Sequence, residues 1–135
     1  MLKVLLLLLQ VTQNYLVMQP LQEAIQDGRF AALAPICRPR VVLNLEEPLA
    51  LRGAMGPEQF ISEFSARFAA LQAEKIEWSS IQIEENIAVQ SLNLVLKRRF
   101  SGSRVFYKLI LFMSSDKSPD REKEWKLYYL RGLKI

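Results

Sequence analysis

The feature that most constrains the fold is the alternation of apolar and polar side chains along the C-terminal half of the chain. A period of two residues places successive side chains on opposite faces of a strand, so this half predicts a sheet. Short polar connections such as "EEN" and "SG" favour antiparallel hairpins, and Gly102 supplies the positive φ that a tight turn requires. The predicted strands are 75–83, 87–100, 103–113 and 124–134.

The alternation changes phase inside two of these strands. The first slip lies between Trp78 and Ile81, and the second lies between Val89 and Leu92. A slip of one residue without loss of the strand is typical of a β-bulge, and bulges bend a sheet. Two bulges in neighbouring strands predict a strongly curved antiparallel sheet.

The strand at 103–113 is apolar on both faces. An antiparallel strand of this kind needs cover on both sides, and helices can cover only the concave face of a curved sheet. We therefore expect the convex face to meet a second copy of the chain, giving a homodimer. One face carries Val105, Tyr107, Leu109 and Leu111, and the other carries Phe106, Ile110 and Phe112.

Helices are predicted before the sheet. Pro20 opens one helix that ends at Asp27 and Gly28, and a second short helix ends before Pro39. "RVVLNLEE" at 40–47 alternates and predicts a half-buried strand.

A longer helix follows Gly56, with Pro57 at its first position. The two glycines before it invite a phosphate-loop interpretation, but the Lys-Ser/Thr of that motif is missing. Apolar residues recur along one side of the helix, which favours a core face over a cofactor slot. They are Phe60, Ile61, Phe64, Phe68 and Leu71.

Length and composition limit the organisation and chemistry. A chain of 135 residues, half of them hydrophobic, has room for one domain. It contains no His, which excludes His-ligated metal sites and nucleophiles activated by imidazole, and we expect neither metal nor cofactor. Its one cysteine, Cys37, lies in an apolar stretch and is expected to be a buried, inert thiol.

The first 18 residues form an apolar leader, and 19–135 form the domain. Lys3 followed by the apolar run of 4–9 resembles an export signal and is too short to form a stable membrane span. The small residues of a cleavage site are missing, so an N-terminal helix packed on the domain is the alternative. A genuine signal implies a secreted or periplasmic protein, and its absence a cytoplasmic one.

The order of short helices, strand, long helix and long antiparallel strands is similar to that of the nuclear transport factor 2-like superfamily. The segments "LQEAIQDGRFAALAPI", "VVLNL", "GPEQFISEFSARF" and "VFYKLILFM" resemble a bacterial branch of unknown function within it. The resemblance covers residues 19–135 and implies a cone-shaped α+β fold, with the helices packed in the concave face of the sheet. It also implies a pocket between helices and sheet, which in some members is the active site of an isomerase or a dehydratase.

Two classes of function remain open. The first is a non-catalytic domain that dimerises and binds a small apolar ligand or a protein partner. Aromatic side chains with polar tips suit such a ligand, although core and interface packing explains them equally. Arg131 is the unusual charge in this set, and Glu77 or a ligand anion is its candidate partner. The candidate pocket residues are Trp78, Tyr107, Trp125, Tyr129 and Arg131.

The second class is a small enzyme of the isomerase or lyase type. Such chemistry needs a carboxylate base inside an apolar pocket. Most acidic residues fall at turns, in loops or on the outer side of the helix, which leaves Glu46 and Glu77 as weak candidates. A surface position at a strand end is the alternative for both.

Basic charge is concentrated in the last third of the chain. Residues 97–135 contain 11 Lys and Arg against 4 Asp and Glu. The group Lys97, Arg98, Arg99 and Arg104 flanks a hairpin turn and forms a candidate patch for an anionic partner, with Phe100, Phe106 and Tyr107 expected on packed faces. Nucleic-acid binding needs aromatic and basic groups on one continuous surface, and the alternation separates them, so we do not expect it.

Overall fold

The structure, a computed structural model, describes residues 19–115 and 125–135. The leader at 1–18, with its alternative interpretations, and most of the polar loop after the third predicted strand lie outside the described residues. The elements are α1 (19–27), a 3-10 helix (Phe30–Ile36), β1 (Cys37–Leu45), β2 (Leu51–Met55), α2 (Pro57–Phe68), β3 (Leu71–Trp78), β4 (Gln82–Glu84), β5 (Ile87–Arg98), β6 (Arg104–Ser115) and β7 (Trp125–Lys134).

Both predicted N-terminal helices are present. The apolar stripe of α1, formed by Leu21, Ala24 and Ile25, is buried. Gly28 follows α1 with φ 72° and donates its N–H to the carbonyl of Ala24 at 3.0 Å. This left-handed residue ends the helix and turns the chain, which a residue with a side chain rarely allows.

Helix α2 begins as predicted, with an extended Gly56 before Pro57. Its buried side chains are Phe60, Phe64 and Phe68, which lie one helical turn apart and pack under the sheet. The 3-10 helix adds a fourth ring, since Phe30 meets Phe64 edge to face with centroids 5.8 Å apart. The predicted core face of the helix is therefore confirmed at these positions.

The sheet has the order β2-β1-β7-β6-β5-β3, and β4 extends β3 along the same edge of β5. All pairs are antiparallel except β1 with β7, which are parallel. The architecture is the predicted α+β arrangement, with helices against one face of a curled, mostly antiparallel sheet. Its inner face carries the core, and we call the face turned away from the helices the outer face.

Strand β2 was not predicted from the sequence. Only its two ends, Leu51 and Met55, are buried, while the three residues between them are exposed. Gly53 lies there with φ 131°, so the strand lacks the alternation that would reveal it.

The first predicted phase slip is confirmed. Trp78 pairs with Leu92 and Gln82 pairs with Val89, so one extra residue lies between β3 and β4. A further register shift occurs between Ala73 and Lys75. The bulges fall on the edge strand, where an unpaired residue disturbs only one neighbour.

The second predicted slip, inside β5, is wrong. This strand pairs with β6 in one continuous register, and its inner face runs without interruption through Ala88, Gln90 and Leu92. Gln90 occupies an inner position because its side-chain amide donates to the carbonyl of Ser79 at 2.9 Å. Because Gln90 is polar, the alternation of apolar and polar residues in β5 suggested a change of phase that the strand does not have.

The bulge missing from β5 occurs instead in β7. The pairing shifts between Phe112, opposite Tyr129, and Met113, opposite Leu127, which leaves Tyr128 as the extra residue. Trp125 and Arg131, which the sequence analysis assigned to one candidate pocket, therefore lie on opposite faces of β7. Inner positions pass from Trp125 and Leu127 to Leu130 and Gly132, and Tyr129, Arg131 and Leu133 turn outward.

Candidate functional site

Tyr107 lies at the centre of the inner face of β6 and is fully buried. Its hydroxyl donates to the main-chain carbonyl of Glu46 at 2.8 Å. Burial raises the pKa of Tyr107, and the nearby Glu46 carboxylate raises it further. The predicted pocket residue thus uses its hydroxyl to join β6 to the end of β1.

Gly132 provides the space for this ring. A Cβ added at Gly132 would lie 2.1 Å from the Tyr107 hydroxyl and 2.7 Å from the ring carbon that carries it. Sequence reasoning did not single out Gly132, although a glycine inside a strand signals a close approach of another group. Tyr107 and Gly132 form one packing unit.

The two tryptophans lie on the helix side of the sheet. Trp78 is half-buried at the end of β3, and its Nε1 donates to Oε1 of Gln22 on α1 at 2.9 Å. Trp125 is buried at the start of β7, next to Ser115 of β6. The hydrogen bond of Trp78 thus connects the edge strand β3 to α1.

The structure does not bring the five predicted pocket residues together. Tyr129 and Arg131 lie on the outer face, as the β7 bulge requires. Arg131 does not meet Glu77, which pairs instead with Lys75 at 3.0 Å on the edge strand β3. Three strand spacings, about 14 Å, separate the strands of Arg131 and Glu77.

Both candidate carboxylates are exposed. Oε2 of Glu46 accepts a hydrogen bond from the main-chain N–H of Lys134 at 3.0 Å, and Glu77 lies in its ion pair on the edge strand. A solvated carboxylate lacks the desolvation that tunes a buried base. Both residues therefore lie at the surface near the end of a strand, which is the alternative that the sequence analysis gave for them.

The basic hairpin between β5 and β6 is only partly available to a partner. Arg104 forms an ion pair with Glu74, with Nε and Oε2 2.6 Å apart, and this hydrogen bond lowers the pKa of the Glu74 carboxyl. Arg98 donates to the Ser103 hydroxyl at 3.3 Å, and Lys97 is half-buried. Arg99 is exposed, and its main-chain N–H donates to the carbonyl of Ala70 at 3.0 Å.

The aromatic residues of this hairpin lie in different environments. Tyr107 returns to the core as expected, but Phe100 is 99% exposed and Phe106 is 58% exposed. Phe100 lies in the turn itself, outside the strand pairing that would place it on a face. The prediction that both phenylalanines return to packed faces is therefore wrong for Phe100, whereas Phe106 lies on the face of β6 that is turned away from the helices.

A cleft of about 430 Å³ opens where α1 ends, α2 ends and β3 begins. The last turn of α1 and Gly28 form one wall, the end of α2 and the first residues of β3 form the other, and Arg99 lies at the hairpin side. It contains none of the other predicted site residues. No pattern in the sequence points to this cleft, since Asp27 and Gly28 predict only the end of a helix.

The outer face of the sheet carries an apolar surface. Strand pairing aligns Val89, Phe112, Tyr129 and Val42 in a row across four strands, and the rings of Phe112 and Tyr129 meet edge to face at 5.1 Å. Val42 and Phe106 are exposed, and the others are half-buried. We define the outer patch as Val42, Val89, Phe106, Ile110, Phe112 and Tyr129.

Within 19–115 and 125–135, no helix combines the length and hydropathy needed to cross a membrane. In the same part of the chain, no group of three or more Cys, Asp or Glu side chains could hold a metal ion.

Comparison with known proteins gives structural likenesses alone. No family model and no curated protein matches the sequence. A DUF4783 family protein from Bacteroides uniformis superposes with a TM-score of 0.66 at 9% identity, covering 87% of this chain and 95% of that protein. An NTF2-like protein from Cytophaga hutchinsonii superposes at 0.61 and 15% identity, covering 88% and 93%.

A third solved structure, from Shewanella frigidimarina, is provisionally described as a ketosteroid isomerase. It superposes with a TM-score of 0.65 at 15% identity and covers 87% of this chain and 91% of its own. Identities this low support a common fold and leave function open. The chain has the cone-shaped α+β fold of the nuclear transport factor 2-like proteins.

Proposed function

We propose that the protein is a non-catalytic domain that works as a homodimer, with the outer patch at the centre of the interface. The observation that carries the proposal is the row of apolar side chains across β5, β6, β7 and β1 on the face that no helix of the described chain covers. Apolar surface of this extent on a sheet face favours association. A two-fold axis places the patch against its own copy.

The size of the face suits a stable dimer. Strand β6 has 12 residues, which corresponds to about 40 Å, and four strands cover roughly 15–20 Å. The product is about 600–800 Å² per protomer, close to the roughly 800 Å² that a specific interface buries on each partner. Aromatic side chains, such as Phe106, Phe112 and Tyr129, are also the residue types enriched at interfaces.

The alternative, an isomerase or lyase that uses Glu46 or Glu77, has less support. The likeness to the Shewanella protein extends to the fold alone. Both carboxylates lie in solvent, with main-chain or Lys75 partners. The available geometry therefore favours binding and association over acid–base chemistry.

A pair of matched variants tests the dimer. Phe106→Asp places a charge in the outer patch, whereas Phe100→Asp makes the same change at a fully exposed turn outside it. Light scattering at tens of micromolar protein is expected to give a dimer mass for the wild type and for Phe100→Asp, and a monomer mass for Phe106→Asp. A monomeric wild type, or identical behaviour of the two variants, would refute the proposal.

A further inference from the structure

We infer that the cleft between the ends of α1 and α2 binds a small zwitterion, with an ammonium group towards Asp27 and a carboxylate towards Arg99. The cleft lies on the helix side of the sheet and shares no residue with the outer patch. The inference is therefore independent of the proposed dimer.

The size of the cleft suits a small organic molecule. Its volume, about 430 Å³, falls in the usual range for small-molecule pockets. Ile25, Phe30, Phe68 and Leu71 line it, and each is almost completely buried. Because the core holds these four side chains, they expose little surface to the cleft, and its open lining is mainly polar.

Two opposite charges line the same cleft without pairing. Asp27 and Arg99 are both exposed, and they do not come within ion-pair distance of each other. In the part of the chain that the structure describes, neither forms a salt bridge with another residue, whereas neighbouring Arg104 is engaged by Glu74. A ligand that carries both charges would satisfy the two groups at once.

Main-chain hydrogen bonds fix the backbone at or next to each charged residue. The N–H of Gly28 bonds to Ala24 and closes the end of α1 directly after Asp27, and the N–H of Arg99 bonds to Ala70 after α2. Because a helix C-terminus carries partial negative charge, the end of α1 adds to the field of Asp27. This arrangement places the cationic end of the ligand at the end of α1 and its anionic end at Arg99.

A dipeptide of two leucines provides a probe with the required chemistry. Leu-Leu carries both charges, N-acetyl-Leu-Leu lacks the ammonium group, and Leu-Leu amide lacks the carboxylate. Titration of the ¹⁵N-labelled full chain by NMR is expected to show saturable shifts at the cleft residues with Leu-Leu, with a Kd in the range of about 0.1–1 mM. Each blocked form is expected to bind about fivefold to tenfold more weakly.

Variants then assign the charges. Arg99→Gln is expected to weaken Leu-Leu binding by about fivefold and to leave Leu-Leu amide binding unchanged, since the amide has no carboxylate to lose. Asp27→Asn is expected to show the reverse pattern, weakening Leu-Leu and sparing N-acetyl-Leu-Leu. Arg98→Gln and Glu23→Gln are the matched controls, because neither residue lines the cleft.

Three results would overturn the inference. One is the absence of shifts at the cleft with Leu-Leu up to about 10 mM. Another is equal affinity for the free and the two blocked dipeptides, which would indicate a purely apolar contact. The last is an effect of Arg99→Gln no larger than that of Arg98→Gln.

Discussion

At the scale of single residues, the core depends on the contact between Tyr107 and Gly132. Tyr107 is fully buried and donates to the carbonyl of Glu46, so its ring has little freedom to move. Position 132 requires glycine because a side chain there would collide with Tyr107. The backbone conformation is not the reason, since Gly132 has no positive φ. The pair explains why a glycine interrupts an otherwise bulky strand.

Gly132→Ala is expected to lower the free energy of unfolding by about 2–4 kcal/mol, from overpacking and loss of the tyrosine hydrogen bond. Urea denaturation measures this change. In a Tyr107→Leu background, which removes the hydroxyl that the new Cβ would meet, the same substitution should cost close to nothing. An equal cost in both backgrounds would show that the contact does not explain the glycine.

Because of the Cys37 thiol, we expect the folded protein to lose stability at alkaline pH. The predicted burial is confirmed, and it raises the pKa of the thiol from 9.0 to about 12. The unfolded chain therefore releases this proton at lower pH than the folded chain, and the thiol's contribution is full below pH 9.0 and declines as pH rises towards 12. Buried Tyr107, whose pKa is also raised, adds to the decline above its ordinary value of about 10.

The measurement compares urea unfolding at about pH 7.5 and pH 10.5 in the wild type and in Cys37→Ala. The wild type should lose more stability between these two pH values than the variant, because the variant has no thiol to ionise. Equal losses would mean that Cys37 is not desolvated in the folded protein.

At the scale of elements, α2 holds the curled sheet through its phenylalanines. Phe60 and Phe64 are completely buried, and Phe64 contacts both Phe30 and Phe68. The sequence predicted this apolar face because the helical period of about 3.6 residues determines which side chains share a face, independently of what the helix packs against. It did not predict β2, whose exposed centre leaves no pattern.

Phe64→Ala is expected to cost about 3–5 kcal/mol of unfolding free energy, since it leaves a cavity between the helix and the 3-10 turn. Phe100→Ala is the control, because the same atoms are lost from a side chain that is 99% exposed. Its expected cost is within about 0.5 kcal/mol. Thermal or chemical unfolding of the two variants gives the comparison, and similar losses would contradict the packing that the structure describes.

At the scale of the whole molecule, the sheet separates two surfaces. The outer face carries the patch proposed as the dimer interface, and the helix side carries the cleft that opens between α1, α2 and β3. Association through one face leaves the other accessible. A homodimer of this kind would present two identical clefts, one on each protomer.

The sequence by itself determined the fold class, the helix faces, the antiparallel strands and the two-sided character of β6, since each follows from a periodicity read over neighbouring residues. Only the tertiary structure decided the position of the β7 bulge, because Tyr128 and Tyr129 have the same local pattern whichever of them is the extra residue. That bulge moved Arg131 and Tyr129 from the predicted pocket to the outer face. The cleft was not predictable from the sequence either, because Asp27 and Arg99 lie 72 positions apart in the chain and line one cleft only where α1 and α2 end and β3 begins.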